Sequence, residues 1–380
     1  MKELIEILDA IDRHAREGQQ MALATIVGVR GSTYRREGAR LLCTERQQMI
    51  GNISGGCLES DIMVVAEDVM ATGRPRMVTY DLTADDDMVW GLGLGCNGAV
   101  DVFVEHVDPA SPVLPLLRDA IVNEKSLGLV TIMDGVGTTG ARLAVYADGT
   151  RIGTLGDARL DERAKRAALA AIEEGLSRVQ TLPVGDGEVK VFVESIRPPI
   201  RLVVCGAGHD AIPVVQFAAM LGWRTIVVDQ RERFLTRERF PGAREFIKAD
   251  PAEAAALVPI DSQTYVVVMT HNYLHDRDLL RGFLRSGAPY VGMLGPRIRT
   301  EKILSELQHA GLPVSDRDRA RIFGPVGLDL GSEGPEEIAL AVVGEILAVE
   351  SGRQASFLRE RTGPIHGPIH AETKVIGRGS

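Results

Sequence analysis

Two glycine-rich loops of this chain each carry a cysteine. The first, Asn52-Ile53-Ser54-Gly55-Gly56-Cys57-Leu58-Glu59, delivers Cys57 to the expected start of a helix. Backbone N–H groups at a helix start are unpaired, and the macrodipole adds partial positive charge there. Both effects favour a bound anion and a cysteine in its thiolate form. Ser54 and Asn52, with the amides of Gly55 and Gly56, are therefore candidates to hold a phosphate beside Cys57. A second loop, Gly91-Leu92-Gly93-Leu94-Gly95-Cys96-Asn97-Gly98, repeats the theme. With four cysteines in all, the two loops suggest a site for a phosphate and a soft, sulfur-loving centre. Cys57 and Cys96 are the candidate nucleophiles, sulfur carriers or soft-metal ligands. The alternative is that glycines here only allow tight turns, with both cysteines packing as small hydrophobes. No C-x-x-C is present and the histidines are distant, so no conventional zinc set is in view.

Two further groups could meet an anion or a cofactor. Arg30-Gly31-Ser32-Thr33-Tyr34-Arg35-Arg36-Glu37-Gly38, with Arg40 just beyond, gathers guanidinium groups among glycines and hydroxyls. Guanidinium pairs with phosphate in bidentate fashion, although a solvated basic loop would read the same way. Thr270-His271-Asn272-Tyr273-Leu274-His275-Asp276 follows an apolar strand. On a helix His271 and His275 would share a face, and with Asp276 they could bind metal or move protons. A capping or hydrogen-bonded histidine is the competing reading. Arg297 and Arg299 follow another strand end and could reach the same ligand.

These groups need a scaffold, and the chain is long enough for two or three domains at 380 residues. A 45% hydrophobic and 25% charged composition is that of a globular protein. The net charge of −9 argues against a general nucleic-acid binder. No apolar run approaches the roughly 18 residues of a membrane span. The acidic amphipathic start (Leu4, Ile5, Leu8, Ile11) does not read as a signal peptide, so the cytoplasm is the expected compartment.

The first two-thirds holds an internal repeat. Gly38-Ala39-Arg40-Leu41 through Ile50-Gly51 matches Gly140-Ala141-Arg142-Leu143 through Ile152-Gly153 at a constant offset of 102. Each copy has an opening strand (22–27; 129–133), a hairpin turn (44–48; 147–150), an alanine-rich helix (61–72; 161–176) and a closing strand with Val-Phe-Val-Glu (102–105; 191–194). A pseudo-symmetric pair is expected. Where the first copy has Ser54-Gly55-Gly56-Cys57, the second has Gly156-Asp157-Ala158-Arg159, and it lacks a Cys96 loop. If these residues served only the fold, both copies should need them.

Arg197-Pro198-Pro199 marks a boundary. Beyond it, strand 200–204 leads into Cys205-Gly206-Ala207-Gly208-His209-Asp210-Ala211, a helix to about Leu221, and strand 225–228 ending in Asp229. This is G-x-G-x-x-A between strand and helix with an acid about 20 residues on, the setting of a Rossmann-type nucleotide site. Gly206, Gly208, His209 and Asp229 are its candidate cofactor contacts. Asp210, at the start of the helix, would repel a pyrophosphate. Strands at 265–269 and 290–294 and a helix at 335–349 complete the pattern. The expected architecture is α/β: a duplicated α+β N-terminal domain followed by a C-terminal Rossmann-like parallel-sheet domain. The expected divisions are 1–108, 109–199 and 200–350, with 351–380 a disordered tail whose histidines are solvated.

Taken together, these residues resemble the XdhC/CoxI family, accessory proteins of molybdenum hydroxylases such as xanthine dehydrogenase. The resemblance runs to about residue 350. It rests on Gly31-Ser32 to Gly38-Ala39-Arg40, Ser54 to Glu59, Gly93-Leu94-Gly95-Cys96, Gly206-Ala207-Gly208-His209, Asp229, Thr270-His271, Asp276, Gly292-Met293-Leu294-Gly295 and Pro325 to Gly331. It implies a chaperone that binds molybdenum cofactor (molybdopterin), holds it during sulfuration by a cysteine desulfurase and passes it to an apo molybdenum hydroxylase. Cys57 and Cys96 would then lie near molybdenum, with Arg35, Arg36, Arg40, Ser54, Gly55 and Gly56 around the cofactor, and His271 and Arg297 as further contacts. Such a protein is a maturation factor rather than an enzyme, and a homodimer through the Rossmann domain is plausible. The alternative is an NAD(P)-dependent oxidoreductase using Asp229 for the ribose and His271 as acid or base. The hydroxylase itself is largely dismissed: its two [2Fe–2S] clusters need about eight cysteines at four per cluster, and the chain has four.

Overall fold

The computed structural model describes residues 2–81, 98–361 and 365. The chain divides into two compact units, Met1–Pro198 and Pro199–Arg361. Each unit is built on its own sheets.

In the first unit, helix α1 (Lys2–Arg16) precedes β1 (Met21–Gly31), β2 (Arg40–Thr44), β3 (Met49–Gly51), α2 (Glu59–Thr72), β4 (Arg76–Asp81) and β5 (Gly98–His106). The second copy follows as α3 (Val113–Val122), β6 (Leu127–Gly135), β7 (Arg142–Tyr146), β8 (Arg151–Gly153), α4 (Ala158–Glu174), β9 (Arg178–Val184) and β10 (Gly187–Ile196). The two five-stranded antiparallel sheets have the same order, β3-β2-β1-β5-β4 and β8-β7-β6-β10-β9. Ile62, Ala66 and Val69 of α2 pack beneath the first sheet, as Ala164, Ala168 and Ala171 of α4 do beneath the second. The tight β2–β3 and β7–β8 turns rely on left-handed backbone at Gln47 and Gly149.

The symmetry extends to irregularities. A register shift between Ile26 and Gly28 skips Val27 in the β1–β5 ladder, and one between Lys190 and Val191 skips Met133 in β6–β10. A bulge re-aims the extra side chain. Here Val27 and Met133 meet Phe103 and Phe192 in one buried cluster between the two copies. Beside it, Arg40 of the first copy pairs with Glu194 of the second at 2.6 Å, both buried, and Arg142 of the second pairs with Glu105 of the first. The two ion pairs are reciprocal.

The second unit comprises β11 (Arg201–Cys205), α5 (Ala211–Met220), β12 (Arg224–Asp229), β13 (Glu245–Lys248), α6 (Ala254–Leu257), β14 (Thr264–Val268), α7 (Tyr273–Ser286), β15 (Tyr290–Met293), α8 (Arg297–His309), α9 (Asp316–Ala320), β16 (Ile322–Phe323) and α10 (Pro335–Glu350). Its six-stranded parallel sheet has the order β13-β12-β11-β14-β15-β16. Fully buried runs such as Leu202–Cys205 and Tyr265–Val268 form its centre, as a sheet covered on both faces requires. The order reverses between β11 and β14, which opens a crevice at their carboxyl ends. Among the described residues no helix is long and apolar enough to cross a membrane.

Candidate functional site

One end of the first sheet gathers the loops singled out by the sequence. Gly31 ends β1 opposite Gly98, Arg40 opens β2 opposite Thr25, and Gly51 ends β3 opposite Leu41. Segments 32–39 and 52–58 therefore leave from the same edge. They touch: the Tyr34 ring lies over Gly55, where an added Cβ would stand 3.3 Å from the ring. Cys96, with Gly93 and Gly95, lies outside the described residues.

Helix α2 begins at Glu59, two residues beyond Cys57, and its N-cap is Leu58 with no side-chain cap. Glu59 itself supplies the anion for the loop. Its carboxylate accepts from the amides of Ile53 (3.2 Å), Ser54 (2.9 Å), Gly56 (2.9 Å) and Leu58 (3.2 Å), and from the Ser54 hydroxyl. Gly55 donates instead to Asn52 at 3.1 Å. Burial pushes the Glu59 carboxyl up, but the bonds from Ser54 and the amides outweigh it and hold the group below its ordinary value. This corrects the expectation for Ser54, Gly55 and Gly56: the donors of Ser54 and Gly56 serve the internal Glu59 carboxylate and the amide of Gly55 serves Asn52, rather than a bound phosphate.

The second copy keeps the device. Asp161, at the position equivalent to Glu59, accepts from the Leu155 amide at 2.7 Å and the Thr154 hydroxyl at 2.8 Å. The carboxylate-filled loop thus belongs to the fold, and the thiol belongs to the first copy. Cys57 is half-buried and packs against the core under the first sheet. Cys43 and Cys205 are buried; desolvation pushes the Cys43 thiol up to about 12 and the Cys205 thiol well above its ordinary value.

The arginine cluster is also largely committed. Arg30 pairs with Asp101 and Arg35 with Glu3, each at 2.6 Å, while Arg40 is locked to Glu194. Arg40 is thereby a buried tie between the copies rather than a cofactor contact. Arg36 has no side-chain partner among the described residues and lines a polar cavity of about 370 Å³ with Glu37, Ser177 and Arg197. The reciprocal pairing escapes a reading of the sequence because it joins residues 154 and 37 positions apart. The shared Gly-Ala-Arg and Val-Phe-Val-Glu motifs were its signal.

In the second unit the crevice at the switch point holds a cavity of about 280 Å³. Gly206 (φ +114°) brings the β11 loop so close to β14 that a Cβ would stand 2.6 Å from the Met269 carbonyl. Asp229 lines the cavity, but its oxygens already take four N–H groups: Ala207 N (2.7 Å), Arg231 N (2.8 Å), Arg231 Nε (3.0 Å) and Arg231 Nη2 (2.8 Å). Burial raises the Asp229 carboxyl; the Arg231 and amide bonds more than reverse this and leave it low. A carboxylate offers about four lone-pair sites, so the ribose role expected of Asp229 is filled from within.

The histidines separate. Asn272 caps α7, accepting from the amides of Leu274 and His275, so His271 stands before the helix in left-handed backbone (φ +59°). His271 Nε2 meets Asp210 Oδ2 at 2.6 Å, whereas His275 faces Gln230 at 3.5 Å. They share no helix face. Asp276 is buried and serves as acceptor for Thr270 and Arg299. His209 and Arg297 are exposed and are not among the residues lining the cavity. Among the described residues no group of three or more His, Cys, Asp or Glu is placed to hold a metal ion.

Comparison with known proteins places this geometry. The model of the XdhC and CoxI family matches residues 14–81 and 121–183, and that of the XdhC Rossmann domain matches residues 202–346. The chain is 31% identical over 341 residues to a probable xanthine dehydrogenase subunit of Bacillus subtilis, spanning 89% of this chain and 95% of that protein. It is 23% identical over 332 residues to the molybdenum cofactor insertion chaperone PaoD of Escherichia coli, spanning 87% and 84%. A solved xanthine dehydrogenase from Bacillus halodurans has 31% identity and a TM-score of 0.73, covering 92% of this chain and 98% of that one.

Proposed function

This chain belongs to the XdhC and CoxI family, and on that premise we propose that it serves maturation of a molybdenum hydroxylase. In this reading it receives molybdenum cofactor, keeps it while a cysteine desulfurase installs the terminal sulfur, and hands it to the apo-hydroxylase in the cytoplasm. The cofactor is cargo.

The observation that carries this is the asymmetry of two equivalent loops. Both are stiffened by an internal carboxylate, Glu59 or Asp161, yet only the first presents a thiol, Cys57, where the second has Arg159. A half-buried thiol on a loop held by several hydrogen bonds is a preorganised soft donor. With the loop amides spent on Glu59 and Asn52, Arg36, the arginine of its cluster without a side-chain partner among the described residues, is the candidate cation for the phosphate end of the cargo. When bound, the cofactor supplies the molybdenum–dithiolene centre; the chain supplies a thiol, a cation and a walled edge. The oxidoreductase reading is weakened by Asp229, whose oxygens are already occupied.

The test is elemental and pterin analysis of protein co-expressed with the cofactor pathway. Wild type is expected to retain molybdenum and pterin together, and Cys57→Ala to lose most of both while its melting temperature is unchanged. Equal retention by Cys57→Ala would remove the thiol from the site, and wild type free of both would end the cargo reading.

A further inference from the structure

In a dinucleotide-binding βαβ unit, the second glycine of the loop lacks a side chain so that the backbone can approach the pyrophosphate, which rests on the start of the next helix. Here that glycine is Gly208 and the helix is α5. The space is taken. A Cβ on Gly208 would stand 2.7 Å from Oδ1 of Asp210, so the carboxylate already fills the gap that the glycine leaves. His271 latches it there at 2.6 Å across the switch point. The carboxylate is the inner member of the pair and the imidazole the outer, with side chains 16% and 63% exposed. A pyrophosphate entering this seat would meet the negative charge of Asp210, which His271 holds there.

The neighbouring cavity is open and differently equipped. Val228, Ala249 and Pro251 give it apolar wall, and Gln230, Arg231 and Asn272 give it polar edges. The Arg231 guanidinium is held in place by Asp229 and packs over the Phe234 ring at 4.4 Å. A rigid planar cation on a cavity wall is a stacking surface for a heteroaromatic ring. At about 280 Å³ the cavity stands just below the roughly 300–1,000 Å³ typical of small-molecule sites.

We propose that this crevice takes a nucleoside without phosphate, and that Asp210 is the residue that excludes dinucleotides. Asp229 acts here as a positioning residue for Arg231 rather than as a ribose ligand.

Adenosine and NAD⁺ share the adenosine part and differ in the pyrophosphate, so they isolate the role of Asp210. The experiment is calorimetric titration of the full-length protein, wild type, Asp210→Ala and Asp210→Asn, with each ligand. Wild type is expected to bind adenosine and to bind NAD⁺ at least about tenfold more weakly, the scale of a like-charge contact. Both variants are expected to close that gap by tightening NAD⁺ while leaving adenosine unchanged. Asp210→Asn keeps the shape of the side chain, so it decides the outcome if Asp210→Ala melts early. The proposal is overturned if wild type binds NAD⁺ as tightly as adenosine. It is overturned equally if neither variant narrows the gap, or if adenosine binds none of the three proteins.

Discussion

Glu59 does for the first loop what an external anion would otherwise do, and it decides how Cys57 is presented. Several amide donors converge on one carboxylate, so removing the acceptor leaves them without partners in a half-buried site. Glu59→Ala is expected to lower stability by about 1–3 kcal/mol, the cost of stranding buried donors. The sign with pH follows from the lowered carboxyl. Its contribution is complete above the ordinary value of 4.5 and is lost as pH falls through the lower folded-state value. Melting curves of wild type and Glu59→Gln should therefore converge on acidification below about pH 4.5, and a gap that stays constant down to pH 3 would show that Glu59 does not titrate as described. The glycines, the serine and the thiol of this loop were all legible in the sequence. The acceptor was not, because Glu59 lies inside the next helix, where an acid in the first turn reads as a dipole partner.

The paired elements tell a similar story at longer range. The duplicated β-α-β pattern follows from periodicity and a constant offset, and both sheets have the strand order that such a duplication implies. What sequence could not supply was which carboxylate meets which arginine, because Arg40–Glu194 and Arg142–Glu105 each cross from one copy to the other. The same limit applied to Asp229: an acid ending the strand after a glycine-loop helix reads as a ribose ligand until Arg231, two residues on, is seen folded back onto it. Breaking the Arg40–Glu194 pair from either side should cost about 3–5 kcal/mol, because the survivor is left as a buried charge. Replacing both by leucine should cost much less than the sum. Urea unfolding of the two single variants and the double variant measures this, and strictly additive losses would show that the residues act independently. Glu105→Ala should cost less, since its partner Arg142 is more exposed.

Across the whole molecule, the two units carry different equipment. The first presents one thiol on one of two equivalent loops; the second presents a crevice whose phosphate seat is filled by its own acid. Neither arrangement requires the chain to transform a ligand, and together they suit a protein that holds and passes on. The most direct measurement mixes the loaded protein with a purified apo molybdenum hydroxylase and follows the appearance of hydroxylase turnover. Wild type should restore activity, in proportion to the molybdenum it carried in. Cys57→Ala, matched for protein concentration, should restore little. Equal activation by both proteins, or by free cofactor without either, would contradict a carrier role centred on Cys57.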